Sequence, residues 1–403
     1  MRKVFLFLSF VILTYFGYGL YLSLCDLQIY PKNSEAFEHH LFHDYNGVTH
    51  VVSSYSKGSL LPKDILLEAG KANLDFVFFT DLNLLDRPYN INGYHGDVFT
   101  FSNQKVSYLD AHILLYSENP YFYFSSLSAA NAQLSQHFSE FSTEERAYMA
   151  VLAHPFKEGH RWAGEYPPGI DGIEIINLRH IWQQVWLKNK YTFFWSILTY
   201  PFNPEISLLR LIQDPKKEIE LWDYLNKTSP TLGFLGNETT AKIFRIFELN
   251  FTFPSYSKSF NFASNHILLS SELTGHEETD RKKLFSSIQK GHFYLAFDSI
   301  GNPKGFAAYL TSDNNNYLMG SRLKKTKDMK MHIDLPEKIQ VPFIIEVYKD
   351  GELFLKSNDP KVEFPITVAG VYRVKVRVQP KLPFPDEGKW VGWIYSNPFF
   401  ISE

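Results

Sequence analysis

The chain has 403 residues, enough for two or three domains, and 45% of them are hydrophobic, so a large core can form. A formal net charge of −3 gives no basic surface of the kind that nucleic-acid binding requires, and no nucleic-acid partner is expected. The single cysteine, Cys25, excludes an intrachain disulfide and a thiolate metal site, which leaves His, Asp and Glu as metal ligands.

The N-terminal segment is uncharged from Val4 to Leu24 and follows the basic pair Arg2 and Lys3. Its length suffices to cross a bilayer as a helix and exceeds the apolar core of a usual cleaved signal peptide. The basic pair predicts that the N-terminus lies inside and the rest of the chain outside. We therefore predict a signal anchor or transmembrane helix in residues 1–28, with the membrane as a partner through this helix.

Cys25 offers a different interpretation of the same segment. The sequence Leu22-Ser23-Leu24-Cys25 resembles a bacterial lipoprotein cleavage box, in which the cysteine would be lipidated. The residue before that cysteine is normally small, and Leu24 is not. Lipidation of Cys25 and a cleaved, secreted form are therefore alternatives to the uncleaved anchor.

The next elements form a strand, helix and strand. Residues 29–44 are polar with scattered aromatics and are predicted as a linker, and Val48 to Val52 as a strand. Ser59 to Asn73 shows helical spacing of apolar residues, with a proline in its first turn. Leu74 to Phe79 is a continuous apolar run of the kind that parallel sheets bury. This pattern predicts a βαβ unit.

More short apolar runs and helical segments follow. The runs predicted as strands are His112 to Tyr116, Tyr148 to Ala153, Gly172 to Ile176 and Thr231 to Leu235. The segments predicted as helical are Ser125 to Glu145, Ile181 to Leu225, and Lys282 to Lys290 with Gly291 as its C-cap. Tyr191 to Tyr200 is strongly apolar but too short to span a membrane, so we interpret it as a packed helix.

After about residue 300 the pattern changes to alternating strands. They are predicted at Phe343 to Tyr348, Glu352 to Leu355, Gly370 to Val378 and Trp390 to Ile394. Asp350-Gly351 lies between the first two and is typical of a tight hairpin. We predict a separate all-β, sandwich-like C-terminal domain in residues 301–403.

Five short motifs follow one another along the chain. They are the stretch Thr49-His50-Val51-Val52-Ser53-Ser54-Tyr55-Ser56-Lys57-Gly58-Ser59, then Thr80-Asp81-Leu82, Ala153-His154-Pro155, the run Asp171-Gly172-Ile173-Glu174-Ile175-Ile176-Asn177, and Gly236-Asn237-Glu238-Thr239-Thr240-Ala241. In this order they resemble the PHP (polymerase and histidinol phosphatase) family of metal-dependent phosphoesterases over residues 45–300. The tail, with Gly370-Val371-Tyr372-Arg373-Val374, resembles a β-module that follows this domain in some members.

The resemblance implies an α/β fold, a distorted (β/α)7 barrel, with its site at the carboxyl ends of the strands. It also implies hydrolysis of phosphate esters by two or three divalent metals that activate a water and hold the phosphate. A bacterial periplasm or cell surface is the location that it favours for the bulk of the chain.

The sequence departs from the family pattern at four positions that should hold metal: Val52, Lys57, Leu82 and Thr240. A lysine ammonium has no lone pair to offer a metal. The candidate ligands that remain are His50, His112, His154 and Glu238, which could hold at most one ion such as Zn, Mn or Fe. A glutamate that the family places near Asp97 to Phe101 has no clear counterpart. Asp81 is expected to stay outside the metal shell and to cap or hydrogen-bond the turn after its strand.

Lys57 and Arg179 are candidates for binding an anion rather than a metal. For each histidine a purely structural role at a strand end is the alternative. Three functions follow as hypotheses: a membrane-tethered, extracytoplasmic PHP-domain protein with weakened or lost hydrolysis, an active single-metal phosphoesterase, or a structural envelope protein that acts through its β-module.

Overall fold

The structure, a computed structural model, describes residues 1–27, 29–31, 39–84, 91–139, 147–246, 249–336 and 338–403, with the backbone alone for 242–246 and 249–251. Residues 32–38 of the predicted linker and the end of the predicted helix Ser125 to Glu145 lie outside the described residues.

Nine helices lie within these ranges. They are α1 (Arg2–Ser23), α2 (Pro62–Lys71), α3 (Leu127–Ser139), α4 (Leu178–Lys188), α5 (Lys190–Thr199), α6 (Pro204–Arg210), α7 (Lys216–Leu225), α8 (Tyr256–Phe260) and α9 (Glu277–Lys290). Helices lie in each segment predicted as helical, but α8 was not predicted and α9 begins five residues before the predicted Lys282. The predicted C-cap Gly291 has the left-handed conformation, with φ of 77°, that lets glycine end a helix.

Twelve strands precede residue 300 in the described part of the chain. They are β1 (His43–Val51), β2 (Phe76–Leu82), β3 (Gly93–His95), β4 (Val98–Tyr108), β5 (Ala111–Tyr116), β6 (Met149–Leu152), β7 (Gly172–Asn177), β8 (Leu232–Gly236), β9 (Lys242–Ile246), β10 (Leu249–Phe253), β11 (Ser264–Leu269) and β12 (Phe293–Ala296).

Seven of these strands close into a barrel in the order β1-β2-β4-β5-β6-β7-β8, and Thr49 in β1 pairs with Gly236 in β8. Neighbouring strands are parallel except that β5 runs antiparallel to both β4 and β6. The predicted βαβ unit is confirmed by β1, α2 and β2, since β1 and β2 pair in parallel. The carboxyl ends of the parallel strands therefore meet at one end of the barrel.

Strand β2 shows how the barrel wall is packed. Phe76 and Phe78 are fully buried in the main core, whereas Val77 and Phe79 are fully buried in a second cluster with Ile65 of α2. Alternating side chains thus fill both faces, as the continuous apolar run predicts for an inner strand. Each buried phenylalanine contributes about 1.5–3 kcal/mol of hydrophobic free energy.

Ten further strands follow residue 300 in the described ranges. They are β13 (Ala307–Ser312), β14 (Asn315–Leu318), β15 (Arg322–Lys324), β16 (Lys330–Asp334), β17 (Phe343–Lys349), β18 (Glu352–Ser357), β19 (Lys361–Pro365), β20 (Gly370–Val378), β21 (Val391–Ser396) and β22 (Phe399–Ser402). Strands β13, β14, β16 and β19 form one sheet. The predicted hairpin is confirmed, because Asp350 and Gly351 both have positive φ between β17 and β18.

The remaining C-terminal strands continue the barrel's own sheet. Strand β21 pairs with β12, with Leu295 opposite Tyr395, and β12 leads through β11 to β1. Strands dominate the chain after residue 300, as expected, but the remaining C-terminal strands share a sheet with residues 264–296. The pairing joins segments about a hundred residues apart, which no local pattern reveals.

Helix α1 is long and apolar enough to cross a membrane, and most of its side chains are exposed. Immediately after it the chain is packed, since Leu27 and Ile29 are buried in the core. His39 and Phe42 are buried as well, so the described part of residues 29–44 is not the free linker that its polarity suggested. Helix α5 is packed on one face only, because Tyr191 is 90% exposed.

Candidate functional site

Three of the candidate residues lie directly where barrel strands end. His50, His154 and Glu238 all have positive φ, of 58°, 33° and 44°. Such backbone costs a residue with a side chain about 1 kcal/mol or more and is held only by its surroundings. Here the Glu238 amide donates to the His50 carbonyl oxygen at 3.0 Å, which ties β8 to β1 at the carboxyl end of the barrel. Positive φ also occurs at eight other non-glycine residues in the described ranges, so it is the convergence of these three at one end of the barrel that marks the candidate site.

Glu174 on β7 holds His50 from inside the barrel. Its Oε1 lies 2.6 Å from His50 Nδ1, and its Oε2 accepts from the His154 amide and from the Asn177 side chain, both at 2.8 Å. Gly236 makes room for this carboxylate, because a Cβ there would stand 1.7 Å from Oε1. Burial, and secondarily the charge of Glu238, raise the pKa of Glu174 to about 8.

Lys105 on β4 lies at the centre of the site, and its side chain is only 3% exposed. Its Nζ is 2.8 Å from His50 Nε2 and 3.7 Å from Glu238 Oε1. An ammonium only donates, so His50 accepts at Nε2 and carries its own proton on Nδ1, which it donates to Glu174. Lys105 therefore uses the lone pair with which His50 would otherwise bind a metal.

Glu238 is surrounded by three cations. Lys157 Nζ lies 3.0 and 3.1 Å from its two oxygens, and Arg179 Nη1 lies 3.5 Å from Oε1, in addition to Lys105. Burial by itself would raise the pKa of Glu238, but Lys105, the neighbouring histidines and Lys157 hold it well below its usual value. Glu238 is therefore an anion whose oxygens already accept from ammonium and guanidinium groups.

His112 and His154 form a neutral pair beside these charges. His112 Nδ1 is 3.3 Å from His154 Nε2, and the His112 ring stacks on His160 at 4.1 Å between centroids. Burial, with Lys105 and His160 as further causes, lowers the pKa of His112 to about 3. Burial also lowers the pKa of His154 well below its ordinary value. His154 Nδ1 is buried and has no hydrogen-bond partner among the residues that the structure describes.

The structure thus brings His50, His112, His154 and Glu238 into one cluster. In the described ranges, however, no group of three or more His, Cys, Asp or Glu side chains is arranged to hold a metal ion. The lone pair of His50 and the oxygens of Glu238 are engaged by Lys105, Lys157 and Arg179. In this arrangement the donor set does not fit a divalent ion.

One departure from the motif pattern, Val52, has a structural partner. Val52 is buried, and its carbonyl oxygen accepts from the Tyr256 hydroxyl at 2.7 Å. Asp81 was expected to bond the turn after its own strand. The structure places it within β2, where it accepts from the amide and hydroxyl of Ser53 at 2.8 and 2.6 Å and from the Ser56 hydroxyl at 2.5 Å, in the loop after β1. Hydrogen bonds to Asp81 therefore hold the loop of the first motif, and these bonds require no metal.

The two candidate anion-binding residues lie at the outer side of the cluster. Arg179 opens α4 and its side chain is 19% exposed beside Glu238. Lys57 is exposed, yet after burial and Lys157 it is among the causes that lower the pKa of His160. We call this outer side of the cluster, with Lys57, Lys157, His160 and Arg179, the cationic mouth.

Sequence reasoning missed Lys105 and Lys157 as members of the site. Strand β4 contributes Lys105 to the site, whereas Asp97, near which a glutamate was expected, is exposed just before the other end of that strand. One signal was present: Lys105 follows an apolar, aromatic stretch from Val98 to Phe101 and precedes Val106, which is typical of a buried strand. A lone lysine in such a strand is a candidate functional residue.

A cavity of about 370 Å³ borders the cluster on another side. His154, Glu174, Asn177 and His180 contribute to its wall, together with α4 and residues 213–218. Burial lowers the pKa of His180 to about 4, so this wall is uncharged at its histidines.

Comparison with known proteins adds little to this description of the site. No protein-family model matches the chain, and no curated protein matches it. Among solved structures, the chain is similar to a two-domain protein containing a predicted PHP-like metal-dependent phosphoesterase from Bacteroides vulgatus ATCC 8482. The identity is 10% and the TM-score 0.40, over 89% of this chain and 97% of that one. A similarity at this level carries no argument, so the interpretation depends on the barrel, the ordered motifs and the site geometry.

Proposed function

We propose that the protein is a membrane-tethered, extracytoplasmic member of the PHP phosphoesterase lineage that binds a phosphate-bearing anion and has lost metal-dependent hydrolysis. The observation that carries the proposal is the buried ammonium of Lys105, which lies between His50 and Glu238 where the lineage would hold metal. An ammonium at that point repels a divalent ion and attracts an anion. Burial lowers the pKa of Lys105, whereas the charge of Glu238 raises it and so helps to keep the ammonium form.

The charge balance of the mouth supports an anionic ligand. Lys105, Lys157 and Arg179 converge on the single carboxylate of Glu238, and Lys57 adds a fourth cation nearby. Buried charges are stable only when they are paired, so an excess of cations favours a bound anion. Phosphate suits this set, because arginine binds two of its oxygens at once and lysine supplies a point charge.

The lineage is supported by where the ordered motifs fall. His50 is the penultimate residue of β1, and His154 and Glu238 each come two residues after the end of β6 and of β8. These strand ends belong to a closed seven-stranded barrel, at the end where α/β barrels build their sites. The tether is supported by α1, which is apolar enough to cross a membrane.

The test is binding of inorganic phosphate to the full chain in mild detergent, followed by thermal unfolding and calorimetry, with chloride at equal ionic strength as reference. Phosphate is expected to raise the unfolding temperature, and Arg179→Ala to weaken phosphate binding about tenfold, or about 1.4 kcal/mol. Arg322→Ala is the matched control, because Arg322 is an exposed arginine on β15 and lines neither the cluster nor the cavity beside it. No protection beyond that of chloride, or equal loss in both variants, would overturn the proposal.

A second candidate, a single-metal phosphoesterase, is favoured by one atom. His154 Nδ1 is buried without a hydrogen-bond partner in the described part of the chain, so it has a lone pair or proton to offer a ligand. Metal analysis of the purified chain decides between the two. Stoichiometric Zn, Mn or Fe that disappears in His154→Ala, together with hydrolysis of a generic phosphodiester, would establish this candidate and overturn the first.

A further inference from the structure

Helix α5 presents an apolar face to the outside. Tyr191, Phe194 and Leu198 are 90%, 52% and 49% exposed, and their spacing of three and four residues places them on one side of the helix. Phe384 (68%) and Leu187 (56%) are also exposed large apolar side chains. Single exposed apolar residues are ordinary, whereas a row of them along one helix marks an interaction surface.

This face is continuous with helix α1. The Tyr15 hydroxyl donates to the Leu198 carbonyl oxygen at 2.8 Å, and the Tyr18 hydroxyl donates to the Phe384 carbonyl oxygen at 2.6 Å. The rings of Tyr18 and Trp195 lie 5.4 Å apart. The outer half of α1 therefore lies against the same elements that expose the apolar face.

The contacts also fix the depth of this face relative to α1. With 22 residues and about 1.5 Å of rise per residue, α1 is about 33 Å long, close to the roughly 30 Å hydrocarbon core of a bilayer. Tyr15 lies eight residues before Ser23, about 12 Å from the outer end of α1. If α1 spans the bilayer, Leu198 and Phe384 are at the level of the outer leaflet.

The junction between α1 and the folded body is fixed. The Asn203 side chain donates to the carbonyl oxygens of Leu22 and Cys25, at 3.0 and 3.3 Å, and Leu22 and Ile29 are fully buried. The body therefore cannot move away from the membrane on a free tether. Near one end of α5 the exposed lysines Lys188 and Lys190 are placed to reach lipid phosphates.

We propose that the apolar face of α5, with Phe384, is inserted in the outer leaflet of the membrane that α1 crosses, so that the barrel is seated on the bilayer. This inference rests on the proposed membrane span of α1. The aromatic side chains suit the half-wet interfacial region, and the lysines suit its anionic headgroups.

The test uses the full chain in a Cys25→Ser background, with Phe194→Cys or Leu198→Cys carrying a fluorescent label. Leu67→Cys is the matched control, because Leu67 is 65% exposed on α2, which packs against β4 and α8. The variants are placed in vesicles of phosphatidylethanolamine and phosphatidylglycerol. We expect lipid-borne doxyl groups to quench the labels at 194 and 198 at least threefold more than the label at 67, and aqueous iodide to show the reverse.

Flotation of the vesicles separates the two levels of the argument. A chain that does not float with vesicles shows that α1 is no anchor, and the tether and this inference then both fail. A chain that floats, but whose labels at 194 and 198 are as open to iodide as the label at 67, overturns the inference alone. Labels that are shielded from iodide yet unquenched by lipid are covered by protein, such as a second copy, and this also overturns it.

Discussion

The two ends of strand β1 carry two buried histidine clusters with opposite electrostatics. At the start of the strand, Asp44 Oδ1 is 2.7 Å from His266 Nδ1, and Asp298 Oδ1 is 2.8 Å from the other ring nitrogen. At the end of the strand, His50 has Glu174 on one nitrogen and Lys105 on the other. Both rings are almost completely buried, so burial does not distinguish them.

The neighbouring charges make the difference. Burial would lower the pKa of His266, but Asp44 and Asp298 raise it to about 9, so the ring is a cation at neutral pH. Burial and Lys105 lower the pKa of His50 well below its ordinary value, so that ring is neutral. The first cluster has two carboxylates for one cation, whereas the second has three cations, Lys105, Lys157 and Arg179, around the carboxylate of Glu238. The excess in the second cluster is positive, which is the imbalance that an anionic ligand would fill.

The His266 cluster also shows that residue types alone do not make a site. Ser264 Oγ is 3.1 Å from His266 Nε2, so serine, histidine and Asp44 are arranged like a hydrolytic triad. Ser264 is completely buried, however, and its hydroxyl donates to Asp298. No substrate can reach it, and we assign this cluster a structural role.

The largest expected effect comes from removing the carboxylate that the cations of the His50 cluster share. Glu238→Gln leaves Lys105, Lys157 and Arg179 without this charge, and we expect a loss of about 3–5 kcal/mol in the free energy of unfolding. Phosphate should recover part of the loss by replacing the missing charge. The measurement is denaturant unfolding with and without phosphate.

Glu363→Gln is the control for that measurement. Glu363 pairs with Lys330 at 2.7 Å, but both side chains are about half exposed, so we expect a loss below about 1 kcal/mol. Equal losses in Glu238→Gln and Glu363→Gln would show that the three buried cations do not depend on Glu238.

The second prediction concerns the pH dependence of the His266 cluster. The folded-state pKa of about 9 lies above the unfolded value near 6.5, so the folded state holds the proton more tightly. The contribution to stability is complete below about pH 6.5, declines as the pH rises and is lost above about pH 9, with a total of about 3 kcal/mol. Unfolding of the wild type and His266→Gln from pH 6 to 10 should show the two stabilities converging. A constant difference across this range would contradict a charged His266.

The comparison also explains what the sequence could and could not predict. His50, His154 and Glu238 were found because they stand in ordered motifs that resemble one family, and because parallel strands bring their carboxyl ends together. Lys105 was missed because lysine in a sequence normally indicates a solvated surface, and only the pairing of β4 between β2 and β5 buries it.

The His266 cluster was out of reach for a different reason. Asp44, His266 and Asp298 are brought together by the antiparallel pairing of β1 with β11 and of β11 with β12. These partners are far apart in the chain, and no spacing rule relates them. The same holds for the sheet that joins β12 to β21.

The third prediction tests the close contact that positions His50. Gly236→Ala would place a Cβ on Glu174 Oε1, so we expect the carboxylate to move and stability to fall by about 1–3 kcal/mol. Gly70→Ala is the control, because a Cβ added at Gly70 in α2 would meet nothing within 4 Å, and alanine favours a helix by about 0.5–1 kcal/mol. Unfolding should therefore shift in opposite directions, and a neutral Gly236→Ala would show that Glu174 is free to relax.

The smallest expected effect tests whether Lys57 belongs to the cationic mouth. Lys57 is exposed and acts on the cluster only through its charge, so Lys57→Ala should leave stability unchanged within about 0.5 kcal/mol. Phosphate affinity should fall about two- to threefold at low salt, and the difference should vanish near 1 M salt, where the screening length is about 3 Å. Lys63→Ala, at an exposed lysine on α2, should change neither quantity. Lys57 stands in the position where the family resemblance places a metal-binding aspartate. A salt-sensitive loss of phosphate affinity in Lys57→Ala, but not in Lys63→Ala, would mean that the loop of the first motif still faces a phosphate, through its charge and without metal.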